Sequence, residues 1–171
     1  MSVIIRRAEP EDFPKLGAIE ISAGELFREH GLADVADNPP TDIPFFLSCA
    51  RFGAVLVAEI EGTLAGFALA AKYDGTAHLY EVSVSRDHQG HGVGRKLIEG
   101  VCDWAKGEGF KSITLSTFSD LPWNAPFYTK LGFSIIGSGD YSPAMMMLRG
   151  REEHNGLDMS RRCLMRKELA R

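Results

Sequence analysis

Along this chain the spacing of apolar positions switches from helical to strand-like and back, and the switches mark out the elements. Val3–Arg7 reads as a short strand. From Pro10 to Glu29, apolar Phe13, Leu16, Ile19 and Leu26 recur at helical spacing, with Pro10 near the start and acidic Glu11 and Asp12 in the first turn. This predicts a helix closed by His30-Gly31. The turn-rich ADNPPTD leads into a shorter helical stretch from about Ile43 to Arg51. GAVLVAEI (53–60), TLAGFALAAKY (63–73) and AHLYEVSVS (77–85) are apolar or β-branched runs joined by Glu61-Gly62 and Asp74-Gly75. They predict three antiparallel strands with tight hairpin turns. From Val93 to Lys106 the apolar Leu97, Ile98, Val101, Trp104 and Ala105 share a helical face, and SITLSTF (112–118) follows Gly109 as a strand. Pro122–Leu131 predicts a short helix closed by Gly132, FSIIG a strand, the stretch to about residue 160 an irregular segment, and RRCLMRKEL a last strand. The expected architecture is α/β of the α+β kind: one domain, residues 1–171, with a mixed, mostly antiparallel central sheet and flanking helices.

Composition adds bounds. A chain of 171 residues, 44% hydrophobic and 25% charged, suits one well-buried core. The net charge of -4, with both signs interspersed, lacks the basic footprint that a phosphate backbone requires, so no nucleic-acid partner is expected. MSVIIRRAEPEDF holds no apolar run of signal-peptide length, and no stretch approaches the roughly 18 apolar residues of a membrane span. The expectation is a cytoplasmic protein without a membrane partner. Cys49, Cys102 and Cys163 are far apart and form none of the close pairs of metal or redox sites, which suggests reduced, half-buried thiols.

The chemistry begins at SRDHQGHGVGRKLIEG (85–100), where glycines at 90, 92 and 94 stand between a strand and a helix. Free backbone N–H groups at a helix start, with no side chains over them, form a site for phosphate. No Gly-Lys-Ser/Thr follows, and Arg95 breaks the dinucleotide pattern G-x-G-x-x-G, so an ordinary nucleotide pocket is disfavoured. The stretch does match Q/R-x-x-G-x-G/A through Gln89, Gly92 and Gly94. With LYEVSVS before it, RKLIEGVCDWA after it and NAPFYTKLGF further on, residues 53–137 resemble the GNAT superfamily of N-acetyltransferases.

That resemblance implies an acetyl-coenzyme A-dependent N-acetyltransferase. Two neighbouring parallel strands, 77–85 and 112–118, would splay apart to hold acetyl-coenzyme A. The pantetheine arm would pair with backbone groups of Val82, Ser83 and Val84, and the pyrophosphate would rest on the N–H groups of Gly90, His91, Gly92, Val93, Gly94 and Arg95. The family's usual coenzyme-contacting asparagine lies seven residues before the tyrosine, where this chain has Leu121. Asn124 either takes over that contact or caps the helix beginning at Ala125.

Acetyl transfer to an amine needs a neutral nucleophile, a stabilised oxyanion and a proton for the departing thiolate. The resemblance offers Glu81 as the base, because the family's other base position, twelve residues before the tyrosine, is Ser116 here. Glu81 otherwise reads as an outward-facing strand residue. Tyr128, in register with Leu131-Gly132-Phe133, is the implied acid, and the backbone N–H of Val84 the oxyanion donor. Asp87, His88 and His91 are too close together for a closed metal site, and no metal is expected. Pro122 and Trp123 are acceptor-pocket or packing residues, and Met145, Met146 and Met147 are a soft wall over the acceptor or core filling.

The acceptor is open among a polyamine-like or aminoglycoside-like amine, an amino acid, and a protein N-terminus or lysine. Glu20, Glu25, Glu29, Asp34, Asp37 and Asp42 are either hosts for a cationic acceptor or solvated helix faces. A coenzyme A-binding sensor without turnover is the competing class, and a homodimer is left open.

Overall fold

The computed structural model describes residues 2–170. In chain order the elements are β1 (Val3–Arg7), α1 (Phe13–Glu29), α2 (Ala33–Ala36), α3 (Ile43–Phe52), β2 (Gly53–Ile60), β3 (Thr63–Tyr73), β4 (Thr76–Val84), α4 (Val93–Gly107), β5 (Ser112–Phe118), α5 (Ala125–Lys130), β6 (Ser134–Ile135), α6 (Pro143–His154) and β7 (Arg162–Glu168). The seven strands form one mixed sheet with helices against it, as the sequence predicts, and their order in the sheet is β1-β2-β3-β4-β5-β7-β6. The residues group into two compact units, one running to Ala71 and including Leu79–Trp104, the other Lys72–His78 and the chain from Ala105.

In the first unit, β2 pairs antiparallel with β1 from Val3↔Ile60 to Arg7↔Leu56, and with β3 from Gly53↔Ala71 to Ile60↔Thr63. Its hairpin turns at Glu61 and Gly62, whose φ of 49° and 78° are the two left-handed residues that this turn class demands. One sheet face packs Val55, Val57, Phe67 and Leu69 against Phe13, Leu16 and Ile19 of α1 and Phe46 and Cys49 of α3. On the other face α4 approaches closely: a Cβ added at Gly100 would stand 3.0 Å from Leu56 and 3.1 Å from Ile5, which is why glycine occupies that helical position.

The helix expected from Pro10 begins at Phe13 because the preceding residues make a turn instead. The Asp12 carboxylate accepts the Glu9 N–H (2.8 Å) and the Arg6 guanidinium (2.7 Å), and these bonds hold its pKa below the usual carboxylate range. Most of the N-terminal acids are similarly engaged. Glu20 accepts the Thr41 N–H and hydroxyl, Glu25 and Asp37 hold Arg28, Glu29 holds Arg86, and Asp42 caps α3 through the Phe45 N–H. These five tie helices and loops together.

In the second unit, β7 pairs antiparallel with β5 from Ser112↔Glu168 to Phe118↔Arg162, and β6 adds Ser134↔Arg166 and Ile135↔Met165. Contacts from the start of β4, Thr76 to Ser112 and His78 to Thr114, advance together along both strands, the register of a parallel pair. Three expectations are corrected here. The helix expected from Pro122 starts at Ala125, after a turn closed by Asn124 N–H to Leu121 O at 3.0 Å. FSIIG contributes only a two-residue strand. The segment expected to be irregular contains α6, capped by Ser142, whose hydroxyl accepts the Met145 N–H, with Pro143 in the first turn. Of the methionine run, Met145 packs against Ile136 and Leu164 in the core, whereas Met146 and Met147 are exposed.

His78 lies 3% exposed within this unit, its Nδ1 2.8 Å from Thr114 Oγ1. Burial lowers its pKa from 6.5 to about 4. Between those values the unfolded chain binds a proton that the folded chain does not, so folding stability should decline as pH falls from 6.5 to 4. The loss expected from this group is about 3 kcal/mol. Denaturant unfolding across this range should show a flatter slope for His78→Gln; an identical slope would mean that other groups carry the acid sensitivity.

Candidate functional site

The glycine loop sits at the end of β4. Of that strand, Leu79 is buried, Tyr80, Glu81 and Val82 are half-buried, Ser83 is buried and Val84 half-buried. Phe45 stands edge-on to Tyr80 at 5.4 Å. Beneath this stretch Gly66 lets β3 come close: a Cβ there would lie 2.7 Å from the Ser83 carbonyl oxygen. The Glu81 carboxylate accepts the Ser83 hydroxyl at 3.0 Å, so it is held in one direction along the strand instead of swinging free.

After Val84 the chain makes a single 3-10 turn, Arg86–His88, pinned by Ser22 Oγ accepting the Arg86 N–H at 2.9 Å and by the Arg86–Glu29 ion pair. Gln89 donates its side-chain N–H to the Val84 carbonyl at 3.0 Å. The side chain of the signature glutamine therefore closes the loop, and the Val84 carbonyl is already in use. Gly90 and Gly92 have φ of 79° and 78°, in the left-handed region, and a Cβ at either would meet no heavy atom within 4 Å. The loop surface is thus bare where α4 begins, and the first helical N–H groups have no partner within the helix. Val93 is buried and anchors the helix; Gly94 lies in its first turn, and exposed Arg95 pairs with Glu99 at 2.9 Å. A cradle that only a side chain would fill, at the positive end of a fifteen-residue helix, fits a pyrophosphate. His91 is exposed, and His88 holds Ser85 Oγ at 2.7 Å. Among the described residues no group of three or more His, Cys, Asp or Glu could hold a metal ion.

In the second unit α5 carries Tyr128. The Tyr128 carbonyl accepts both the Leu131 N–H (2.9 Å) and the Phe133 N–H (3.1 Å), while Gly132 turns with φ 95°. That is the physical content of the Tyr…Leu-Gly-Phe spacing, since the turn folds back onto the tyrosine's own backbone. The ring is half-buried and T-shaped to Phe127 (5.6 Å) and Phe133 (5.7 Å). Asn124 precedes the helix but its side chain makes no capping bond, which overturns the capping alternative. Its amide donates to Trp123 O at 3.2 Å, and its buried Oδ1 has no protein partner among the described residues. Leu121, at the position of the family's asparagine, is 4% exposed and part of the core.

Sequence reasoning missed the surroundings of Ser116. Its hydroxyl donates to Glu152 of α6 at 2.6 Å, and Glu152 is paired with Arg162 of β7. The signal that could have found α6 is the Ser142-Pro143 cap.

The profile of the Acetyltransferase (GNAT) family matches residues 19–133, which contain the glycine loop, Glu81, Asn124 and Tyr128. The chain belongs to this family. Over 112 residues it is 32% identical to N-alpha-acetyltransferase 40 of Saccharomyces cerevisiae, covering 61% of this chain and 39% of the yeast protein. It therefore spans about two fifths of that relative's length. Two solved acetyl-transfer structures superpose on nearly the whole chain. N-acetylglutamate synthase from Neisseria gonorrhoeae, solved with coenzyme A and N-acetyl-glutamate, has a TM-score of 0.73 at 18% identity, over 100% of this chain and 36% of that one. The ribosomal-protein-S18-alanine N-acetyltransferase from Escherichia coli has a TM-score of 0.69 at 20% identity, over 99% of this chain and 96% of that one. At such identities these two structures establish the fold. No helix among the described residues is long and apolar enough to cross a membrane.

Proposed function

We propose that this protein transfers the acetyl group of acetyl-coenzyme A to a primary amine by direct attack within a ternary complex. The observation that carries this reading is the bare loop at Gly90 and Gly92 over the start of α4, in a chain of the acetyltransferase family. Bound there, the coenzyme supplies an acetyl group activated as a thioester. The N–H groups of Gly90 through Arg95 hold the pyrophosphate, and the backbone of Val82, Ser83 and Val84 lines the pantetheine arm. Asn124 Oδ1, buried without a partner among the described residues, suits a donor on the coenzyme. Direct attack is supported by the cysteines: all three are buried, and burial pushes the Cys49 thiol up to about 11 and the Cys163 thiol upward, which keeps both protonated and poor as nucleophiles.

Glu81 is the base in this reading. A lysine-like amine of pKa near 10.4 is only about one part in 10³ neutral at pH 7, so removing its proton is part of the work. The Ser83 hydroxyl aims the Glu81 carboxylate. The names of the yeast and Escherichia coli proteins specify an N-alpha-acetyltransferase and an alanine acceptor, which puts α-amines first in an assay panel that also holds polyamines, aminoglycosides, amino acids and lysine peptides. Transfer to at least one of these amines is the expected result. Coenzyme binding with no transfer to any would leave a coenzyme A sensor. Glu81→Gln should slow transfer at pH 7 and recover partly as pH rises and more amine is neutral. Unchanged turnover with an unchanged pH profile would remove Glu81 from the mechanism.

A further inference from the structure

The glycine loop is held by its two ends. Gly90 and Gly92 are left-handed, and a Cβ at either would meet no heavy atom within 4 Å, so nothing packs against the loop on the side a side chain would occupy. Glycine has the most backbone freedom of any residue, and the direction of the N–H groups here is therefore set by the chain on either side. The exit is firm, because Val93, Leu97 and Ile98 of α4 are each 1% exposed or less. The entry is the stretch Ser85–Gln89. The Ser85 N–H donates to the Ala65 carbonyl of β3 at 2.8 Å, the His88 N–H to the Ser85 carbonyl at 2.9 Å, and the Gln89 side chain to the Val84 carbonyl at 3.0 Å. These bonds tie the entry to β3 and to itself. A further hold comes from α1.

Arg86 is the residue that α1 grips. Ser22 Oγ accepts the Arg86 backbone N–H at 2.9 Å, and the Glu29 carboxylate pairs with the Arg86 guanidinium. Ser22 and Glu29 stand seven residues apart in sequence, two helical turns, so both lie on one face of α1. All of these residues belong to the first unit. The fully buried side chains of α1, Phe13, Leu16 and Ile19, all precede Glu20. From Ser22 onward the helix makes polar ties instead, to Arg86 and, through Arg28, to Asp37 at the end of α2. With side chains 40% and 52% exposed, the Arg86–Glu29 pair adds little to folding stability. Its consequence is local: bonds to the backbone and to the side-chain tip of one residue fix both where that residue sits and how it is turned, just before the loop.

We infer that Ser22 and Glu29 of α1 are positioning residues for acetyl-coenzyme A, gripping Arg86 so that the glycine loop enters the pyrophosphate site in a set direction. This rests on the coenzyme reading above and adds α1 to the elements that build the site. With its guanidinium held on Glu29, Arg86 acts through the backbone and not as a phosphate ligand.

The test is calorimetric titration of the full-length protein with coenzyme A, which needs no acceptor. Ser22→Ala/Glu29→Gln removes both holds and should weaken coenzyme A binding about tenfold, since a loop aligned for only part of the time binds in proportion to that fraction. The melting temperature should stay near wild type, because neither side chain is fully buried. In steady-state transfer the KM for acetyl-coenzyme A should rise while kcat at saturating coenzyme holds. Ser22→Thr keeps an acceptor oxygen and should keep wild-type affinity. Glu29→Gln alone separates the grip from direct contact: a loosened turn weakens binding about threefold, whereas an arginine freed to meet phosphate would tighten it. Asp37→Asn loosens the second half of α1 at its other tie and should leave coenzyme affinity unchanged. Affinity within about twofold of wild type in the double variant, tighter binding in Glu29→Gln, or an equal loss in Asp37→Asn would overturn the grip and leave the pyrophosphate assignment standing. So would a lowered melting temperature in the double variant together with wild-type affinity in Glu29→Gln. A wild type that does not bind coenzyme A would overturn the reading of the loop, and the grip with it.

Discussion

Tyr128→Phe should lower turnover by about 10²- to 10⁴-fold with little change in affinity for acetyl-coenzyme A. A phenol of ordinary pKa near 10 is protonated at neutral pH and can pass its proton to a departing thiolate of pKa near 8.5, and phenylalanine cannot. The substitution keeps the ring and the backbone turn. The T-shaped contacts to Phe127 and Phe133 involve the ring, and the bonds that close the Leu131-Gly132-Phe133 turn go to the Tyr128 carbonyl. Turnover measured where chemistry limits the rate, alongside calorimetric titration with the coenzyme, separates the two effects. Unchanged turnover would remove Tyr128 as the acid.

Gly92→Val should abolish measurable coenzyme A binding, a loss on the order of 10²-fold or more from filling a phosphate cradle. The side chain would project from a backbone of φ 78° into space where no heavy atom lies within 4 Å, so it blocks the approach of a ligand without striking the protein. The left-handed conformation itself is strained for valine by about 1–2 kcal/mol. Gly109→Val supplies the control: Gly109 has φ 84° and equally open surroundings, in the turn after α4, so it carries similar strain away from the loop. Binding lost at 92 and kept at 109 is the expected pair of results. Retained affinity in a folded Gly92→Val protein would sink the pyrophosphate assignment.

The elements legible in the sequence were those whose signal is local. Glu61-Gly62 and Asp74-Gly75 marked hairpins because adjacent residues with positive φ are a property of the turn itself, and all four show it. The glycine loop was legible for the same reason, and Tyr128 was legible because its spacing to Leu-Gly-Phe is one helix-terminating turn closing on its carbonyl. Helix starts were less secure. The residues before α1 and α5 looked helical, but the Asp12 carboxylate and the Asn124 N–H closed turns there first.

What the chain by itself determined, then, was the seven strands, the helices α1, α3, α4 and α5, the bare loop and the tyrosine turn, each written in neighbouring residues. The tertiary structure alone decided that Glu152 reaches Ser116 across 36 residues and that Arg162 reaches the same hydroxyl across 46. It also decided that Gln89 turns its side chain back onto Val84, and that Asn124 keeps a buried oxygen without a partner among the described residues. The reason is physical: α6 has its methionines in a block without helical period, so packing of Met145 on Ile136 and Leu164 seats it, and only a seated α6 delivers a carboxylate to β5.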